Sequence, residues 1–124
     1  MRDHRKLRAF DVADSVVLAV YRATRAFPRD EQFALTTQMR RAAVSVACNI
    51  VEGCARHGEA DFLHFLDMAY GSARELDYQI SLAFRLGYLS EVNSNPLKGI
   101  SEESCKVLSG LIHSIRRQRG LLRD

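Results

Sequence analysis

The chain is predicted to be all-α, an antiparallel up-down four-helix bundle forming one domain over residues 1–124. Three observations predict this. Apolar residues recur at three- and four-residue steps along nearly the whole chain, and no segment alternates as a half-buried strand would. The breaks are few and short: Phe27-Pro28, His57-Gly58 and the run from Ser90 to Pro96. Connections of that length make successive helices antiparallel neighbours. A chain of 124 residues with 47% apolar content is also long enough for one core and too short for two domains.

The first helix is expected over about 9–27, with Phe10, Ala13, Val17, Val20, Tyr21 and Thr24 on one face. Pro28 limits it, because the residue before a proline disfavours the helical region. The second is expected over about 33–56. Its stripe is Leu35, Met39, Ala42, Ala43, Val46, Asn49, Ile50 and Gly53. The third spans about 59–87, with a core face of Phe62, Phe65, Leu66, Ala69, Ser72, Ala73, Leu76, Ile80, Ala83 and Phe84, and Gly87 as its C-terminal cap. The fourth is expected over about 96–119, with Asn95 as N-cap and Pro96 in the first helical position. Leu97, Ile100, Ser104, Val107, Leu108, Leu111, Ile112 and Ile115 give its apolar face, and Ser101-Glu102-Glu103-Ser104 offers a later start.

Composition narrows the class. No run approaches the roughly 20 apolar residues of a membrane span. The charged opening MRDHRKLRAF has no apolar segment behind it, which argues against a secretory signal. Cys48, Cys54 and Cys105 lie in apolar helical patterns and read as reduced core residues of a cytoplasmic protein.

Charge is unevenly distributed. Net charge is +3, yet residues 1–8 carry +3 and residues 113–124 another +3, leaving −3 for residues 9–112. Fifteen of the 18 basic residues are arginine, the side chain suited to bidentate phosphate contacts. Arg5, Arg8, Arg116, Arg117 and Arg119 are the first candidates for such contacts, with Arg123 opposite Asp124 completing the tail. Arg22, Arg25 and Arg29 form a second set. An up-down bundle brings both tails to one pole and the second set near the start of the fourth helix. The same arginines also serve helix dipoles and solubility, and that reading stays open. Tyr21 and Tyr88 are too few to argue base stacking.

Nothing argues for an enzyme. There is no nucleophile elbow, phosphate loop or paired CxxC, and no cofactor is implied. Asp61-x-x-His64 followed by Asp67 is half of a di-metal bundle site, and His64 reads better as a boundary residue. A metal enzyme using Asp61, His64 and Glu52 is the remotest alternative. Cys48 and Cys54 are six apart and do not share a face as metal ligands would.

Two further features concern assembly. Arg41, Ser45, Asn49, Glu52 and Arg56 follow three- and four-residue steps, making a polar ridge whose charges should meet partners within the bundle or across an interface; Arg74, Glu75, Asp67 and Asp77 are candidates. Such a network fixes helix register more naturally than it binds a ligand. Val44, Val46, Ala47, Cys48, Ile50 and Val51 point in nearly every direction, which one monomer struggles to cover. Self-association is the simplest answer.

The same residues carry a resemblance. Phe27-Pro28, then Leu35-Thr36-x-Gln38-x-Arg40-Arg41-Ala42-Ala43-Val44-Ser45, then Asn49-Ile50-x-Glu52-Gly53 and Arg56, resemble the four-helix-bundle family encoded in intervening sequences of bacterial large-subunit (23S) ribosomal RNA genes. Phe62-x-x-Phe65-Leu66-x-x-Ala69-x-Gly71-Ser72-x-x-Glu75-Leu76 and Leu86-Gly87-Tyr88-Leu89 continue the match, which covers about residues 7–118. Asn95-Pro96 and Gly99 stand where the family usually has continuous helix. The resemblance implies a homopentamer of antiparallel bundles without enzymatic activity. More distantly the chain resembles the accessory variability proteins of diversity-generating retroelements, basic pentamers that bind nucleic acid and a reverse transcriptase.

Together these readings predict a non-enzymatic homo-oligomer that binds RNA or DNA through its arginines. The alternative is a protein-interaction scaffold, for example an adaptor for a reverse transcriptase or another nucleic-acid enzyme.

Overall fold

The computed structural model describes residues 1–121. Four helices follow one another: α1 (Arg8–Thr24), α2 (Leu35–Ala55), α3 (Glu59–Arg85) and α4 (Glu91–Gln118). Short 3-10 turns lie at His4–Lys6 and Arg29–Glu31. α1 packs on α2, α2 on α3, α3 on α4, and α4 back on α1, while the diagonal pairs stay apart. That is the predicted four-helix bundle, and no strand occurs among the described residues. Arg123 and Asp124 lie outside the described residues.

The core falls into two clusters along the bundle, one around Ile50, Phe62, Leu66 and Leu108 and one around Met39, Leu76 and Ile80. Met39, Ile50, Phe62, Leu66, Leu76, Ile80 and Leu108 are its largest fully enclosed apolar side chains, each stabilising by roughly 1.5–3 kcal/mol relative to exposure. α2 and α3 approach closely at Gly53. A Cβ there would lie 2.9 Å from the Phe65 Cβ and 3.3 Å from the Phe62 ring. The small residue is therefore required by the neighbouring helix.

Several expectations need correction. α1 stops at Thr24, whose hydroxyl donates to the Val20 carbonyl at 2.8 Å, and Phe27 folds back as a buried plug instead of extending the helix. α4 starts at Glu91, five residues before the expected position. The Ser90 hydroxyl accepts the Asn93 N–H and caps it, so Asn95 is no cap and Pro96 sits inside the helix. Pro96 deprives the Val92 carbonyl of its donor. Both residues are exposed, so the loss falls at a solvent-facing position. Phe84 is exposed, because Ala83 already closes the buried stripe of α3. Leu63 and Gln79, absent from the expected stripe, are buried. Cys48 is exposed, lying about 120° around α2 from buried Cys54. Burial pushes the Cys54 and Cys105 thiols above their ordinary pKa.

Both ends of the bundle are closed by long-range contacts. At the pole where α1 begins, the Arg2 N–H donates to the Cys54 carbonyl at 2.7 Å and its guanidinium lies 3.9 Å from the centre of the Phe62 ring. At the other pole the Tyr88 hydroxyl donates to Glu31 at 2.7 Å, and the Phe27 and Tyr88 rings lie 5.6 Å apart. Gly87, at φ +83°, makes the sharp exit from α3. Its N–H reaches the Phe84 carbonyl and the Tyr88 N–H the Ala83 carbonyl, the paired bonds of a Schellman cap.

Gly53→Ala should lower unfolding stability by about 1–3 kcal/mol through overpacking. Gly99→Ala, in an exposed helical position with open space around its Cα, should raise it by roughly 0.5–1 kcal/mol. Denaturant unfolding of the two variants reads both, and a stable Gly53→Ala protein would contradict the close contact.

Tyr88 supplies a pH-dependent test. The Glu31 hydrogen bond favours its protonated form and raises its pKa above the ordinary tyrosine value. The bond's contribution is thus complete below about pH 10 and is lost as pH rises through the elevated folded-state pKa. Tyr88→Phe should remove that alkaline loss, leaving a flatter pH–stability curve. Equal slopes for the two proteins would count against it.

Candidate nucleic-acid interface

The up-down arrangement does bring the two tails together. Arg2, Arg5 and Arg8 lie at the start of α1, beside the end of α4 with Arg116, Arg117 and Arg119. These side chains are not a free positive surface, however. Arg8 meets Glu103 at 2.7 Å, Arg116 meets Asp67 at 2.7 Å, and Arg2 and Arg119 share Glu59 at 3.8 and 3.9 Å. Arg5 folds onto Asp3 at 2.9 Å, and this hydrogen-bonded contact holds the Asp3 carboxyl below its usual pKa. Exposed pairs of this kind contribute little to stability, but they answer most of the local charge. Arg117 is exposed in the last turn of α4.

The opposite pole differs. The side chains of Arg22, Arg25 and Arg29 have no ion pair or hydrogen bond among the described residues. They do not form one cluster. Arg22 faces a groove between α1 and α4 with Ala19, Ala23, Val92, Pro96 and Ile100, about 520 Å³ in volume. Its expected proximity to the start of α4 is thereby met. Arg25 and Arg29 instead line a recess of about 370 Å³ between the end of α1 and the start of α2. Arg40 lines the same recess. It donates to the Thr24 hydroxyl at 2.9 Å, and its guanidinium lies 4.7 Å from the centre of the Tyr21 ring. Sequence reasoning missed Arg40 as a partner of Arg25 and Arg29. Its run with Arg41 marked it as basic, but only the packing of α1 on α2 brings it across.

The polar ridge of α2 divides into two. In its middle, the Asn49 amide donates to the Ser45 carbonyl at 2.9 Å and to the Ser45 hydroxyl at 3.1 Å. The Ser45 hydroxyl in turn pairs with that of Ser72 on α3 at 2.9 Å. Near its end, Glu52 and Arg56 pair within α2, and the Arg56 guanidinium lies over the Phe65 ring at 4.9 Å. Both are exposed, as is Arg41, whose side chain has no ion pair or hydrogen bond among the described residues. Glu75 accepts from the Gln79 amide at 3.2 Å and does not reach the ridge. The side-chain hydrogen bond that crosses from the ridge to α3 is therefore a neutral one, and the charged contact is Arg56 on the Phe65 ring.

A third depression lies between α3 and α4, about 620 Å³ in volume. Its lining mixes Arg74 and Lys106 with Asp77 and Glu102, which disfavours a polyanion. His64 is exposed, edge-on to Phe65 at 5.5 Å. Asp61, His64 and Glu52 do not assemble: no three His, Cys, Asp or Glu side chains among the described residues come together as a metal site. No helix among the described residues is long and apolar enough to cross a membrane.

The fold has a solved counterpart. A crystal structure of a protein of unknown function from the S23 ribosomal protein family of Bacteroides thetaiotaomicron is similar, with a TM-score of 0.77 and 23% identity. The similarity covers 85% of this chain and 95% of that one, and at such identity it speaks for the fold. No curated protein matches the chain. A family model described as 23S rRNA-intervening sequence protein matches residues 5–110. With most of its length matched in this way, the chain belongs to the family of 23S rRNA-intervening sequence proteins.

Proposed function

We propose that the protein is a non-enzymatic, self-associating bundle that binds RNA or DNA through arginine–phosphate contacts. The observation that carries this reading is the end of the bundle where Arg22, Arg25 and Arg29 have no acidic partner. A phosphate backbone would supply the missing negative charge without first breaking an ion pair. The tail arginines Arg5, Arg8, Arg116 and Arg119 exchange a carboxylate for a phosphate and contribute less.

Self-association is supported by large apolar side chains left exposed on one chain, among them Phe33 at 87%, Tyr78 at 60% and Leu18 at 50%. A homopentamer, the assembly implied by the family resemblance, would repeat the arginine-rich pole five times. Multivalency would then convert weak single contacts into useful affinity. The second reading is a scaffold or adaptor for a nucleic-acid enzyme such as a reverse transcriptase. The apolar groove between α1 and α4 favours it, since such a surface suits a protein partner better than a phosphate.

Light scattering of the purified protein should give a mass several times that of the 14.0 kDa chain. Filter binding to structured RNA across a salt series should give affinity that falls steeply with salt. Replacing Arg22, Arg25 and Arg29 together by Gln should lower the slope of log affinity against log salt by about two to three. No retention of RNA at low salt would sink the nucleic-acid reading, whereas an enzyme partner held equally by both proteins would favour the scaffold.

A further inference from the structure

We infer that the recess between the end of α1 and the start of α2 is a binding site for a phosphomonoester, the terminal phosphate of a nucleic-acid strand. The inference rests on the nucleic-acid reading above and narrows it to one chemical feature of the ligand. Three arginines, Arg25, Arg29 and Arg40, line the recess, and no acidic residue does. The nearest acids in sequence are Asp30 and Glu31. Glu31 is turned away, accepting the Tyr88 hydroxyl at 2.7 Å and the Leu35 N–H at 3.5 Å.

Arg40 and the backbone that carries Arg25 and Arg29 are held in place before any ligand arrives. Pro28 and buried Phe27 fix the chain between Arg25 and Arg29. Arg40 spends its Nε–H on Thr24 and rests on the Tyr21 ring, which leaves its terminal nitrogens as donors. The Thr36 hydroxyl also lines the recess and has no hydrogen-bond partner among the described residues. Arg25 alone would be explained by the C-terminal dipole of α1. Arg29 and Arg40, which belong to other elements, would not.

The charge count selects the ligand. A phosphodiester within a strand carries one negative charge and two unbridged oxygens. A terminal phosphate carries between one and two charges and three such oxygens. Three arginines lining one recess match the second better. A recess of about 370 Å³ admits a phosphate with its attached sugar.

The test is calorimetric titration of the full chain with one short oligoribonucleotide in three forms: unphosphorylated, 5′-phosphorylated and 3′-phosphorylated. Adenosine 5′-monophosphate provides the free source of the same group. A phosphorylated strand should bind about tenfold or more tightly than the unphosphorylated one. The advantage should vanish in Arg25→Gln/Arg29→Gln and shrink in Arg29→Gln alone, a single change on an exposed turn that leaves the helices untouched. Binding of the mononucleotide as tight as that of the strand, lost in the same variants, supports the phosphomonoester site with a free nucleotide as its source. Equal affinity for all three strands with no mononucleotide binding overturns it while leaving general nucleic-acid binding intact. A preference that survives in the double variant overturns the location.

Discussion

The close approach of α2 and α3 at Gly53 is the constraint on which the rest of the bundle depends. With no side chain there, the Phe62 and Phe65 turn of α3 lies directly against the α2 backbone. Phe62 then becomes the floor on which Arg2 rests, and Phe65 the ring beneath Arg56. Two turns further along, the Ser45–Ser72 hydroxyl pair meets across the same interface. Short side chains are needed for that contact too. The small-residue character of α2 is thus a packing requirement inside one chain before it is anything else.

The same geometry distributes charge between the poles. Where α1 starts and α4 ends, four helix termini crowd together, and acids on α3 and α4 lie within reach of the tail arginines. Where α1 ends and α2 starts, the connection turns at Pro28 and the neighbouring acid, Glu31, is committed to Tyr88. That commitment locks the α1–α2 connection to the exit of α3. It also leaves Arg25 and Arg29 without a carboxylate. One hydrogen bond therefore serves both fold closure and the electrostatic character of the recess beside it.

Much of the fold was legible because helices and their breaks are local. Pro28, His57-Gly58 and Gly87 each mark a real interruption or cap, since backbone restrictions act within a few residues. The errors came where two local signals competed. Ser90 and Pro96 both offer a helix start, and the hydroxyl cap at Ser90 prevails because Pro96 costs only one hydrogen bond at a wet position. Phe84 and Cys48 are apolar residues beside a stripe, and a three-to-four-residue period does not say how wide the covered face is. Gln79 shows the converse: it is a polar residue that is buried, its amide nitrogen donating to Glu75 and its side-chain oxygen unpaired.

By itself, the amino-acid sequence determined the helical class, the number and order of helices, the family, and the concentration of arginine at the ends. The family follows from the resemblance of its motifs, and the rest from composition and from spacing along the chain. Only the tertiary structure decided which arginines are already answered by acids. Arg8 and Glu103 are 95 residues apart and Arg116 and Asp67 are 49 apart, so no local rule couples them. Arg40 joins Arg25 and Arg29 for the same reason, through the packing of α1 on α2. Charge along a chain is a sum, but charge at a surface depends on which neighbours the fold supplies.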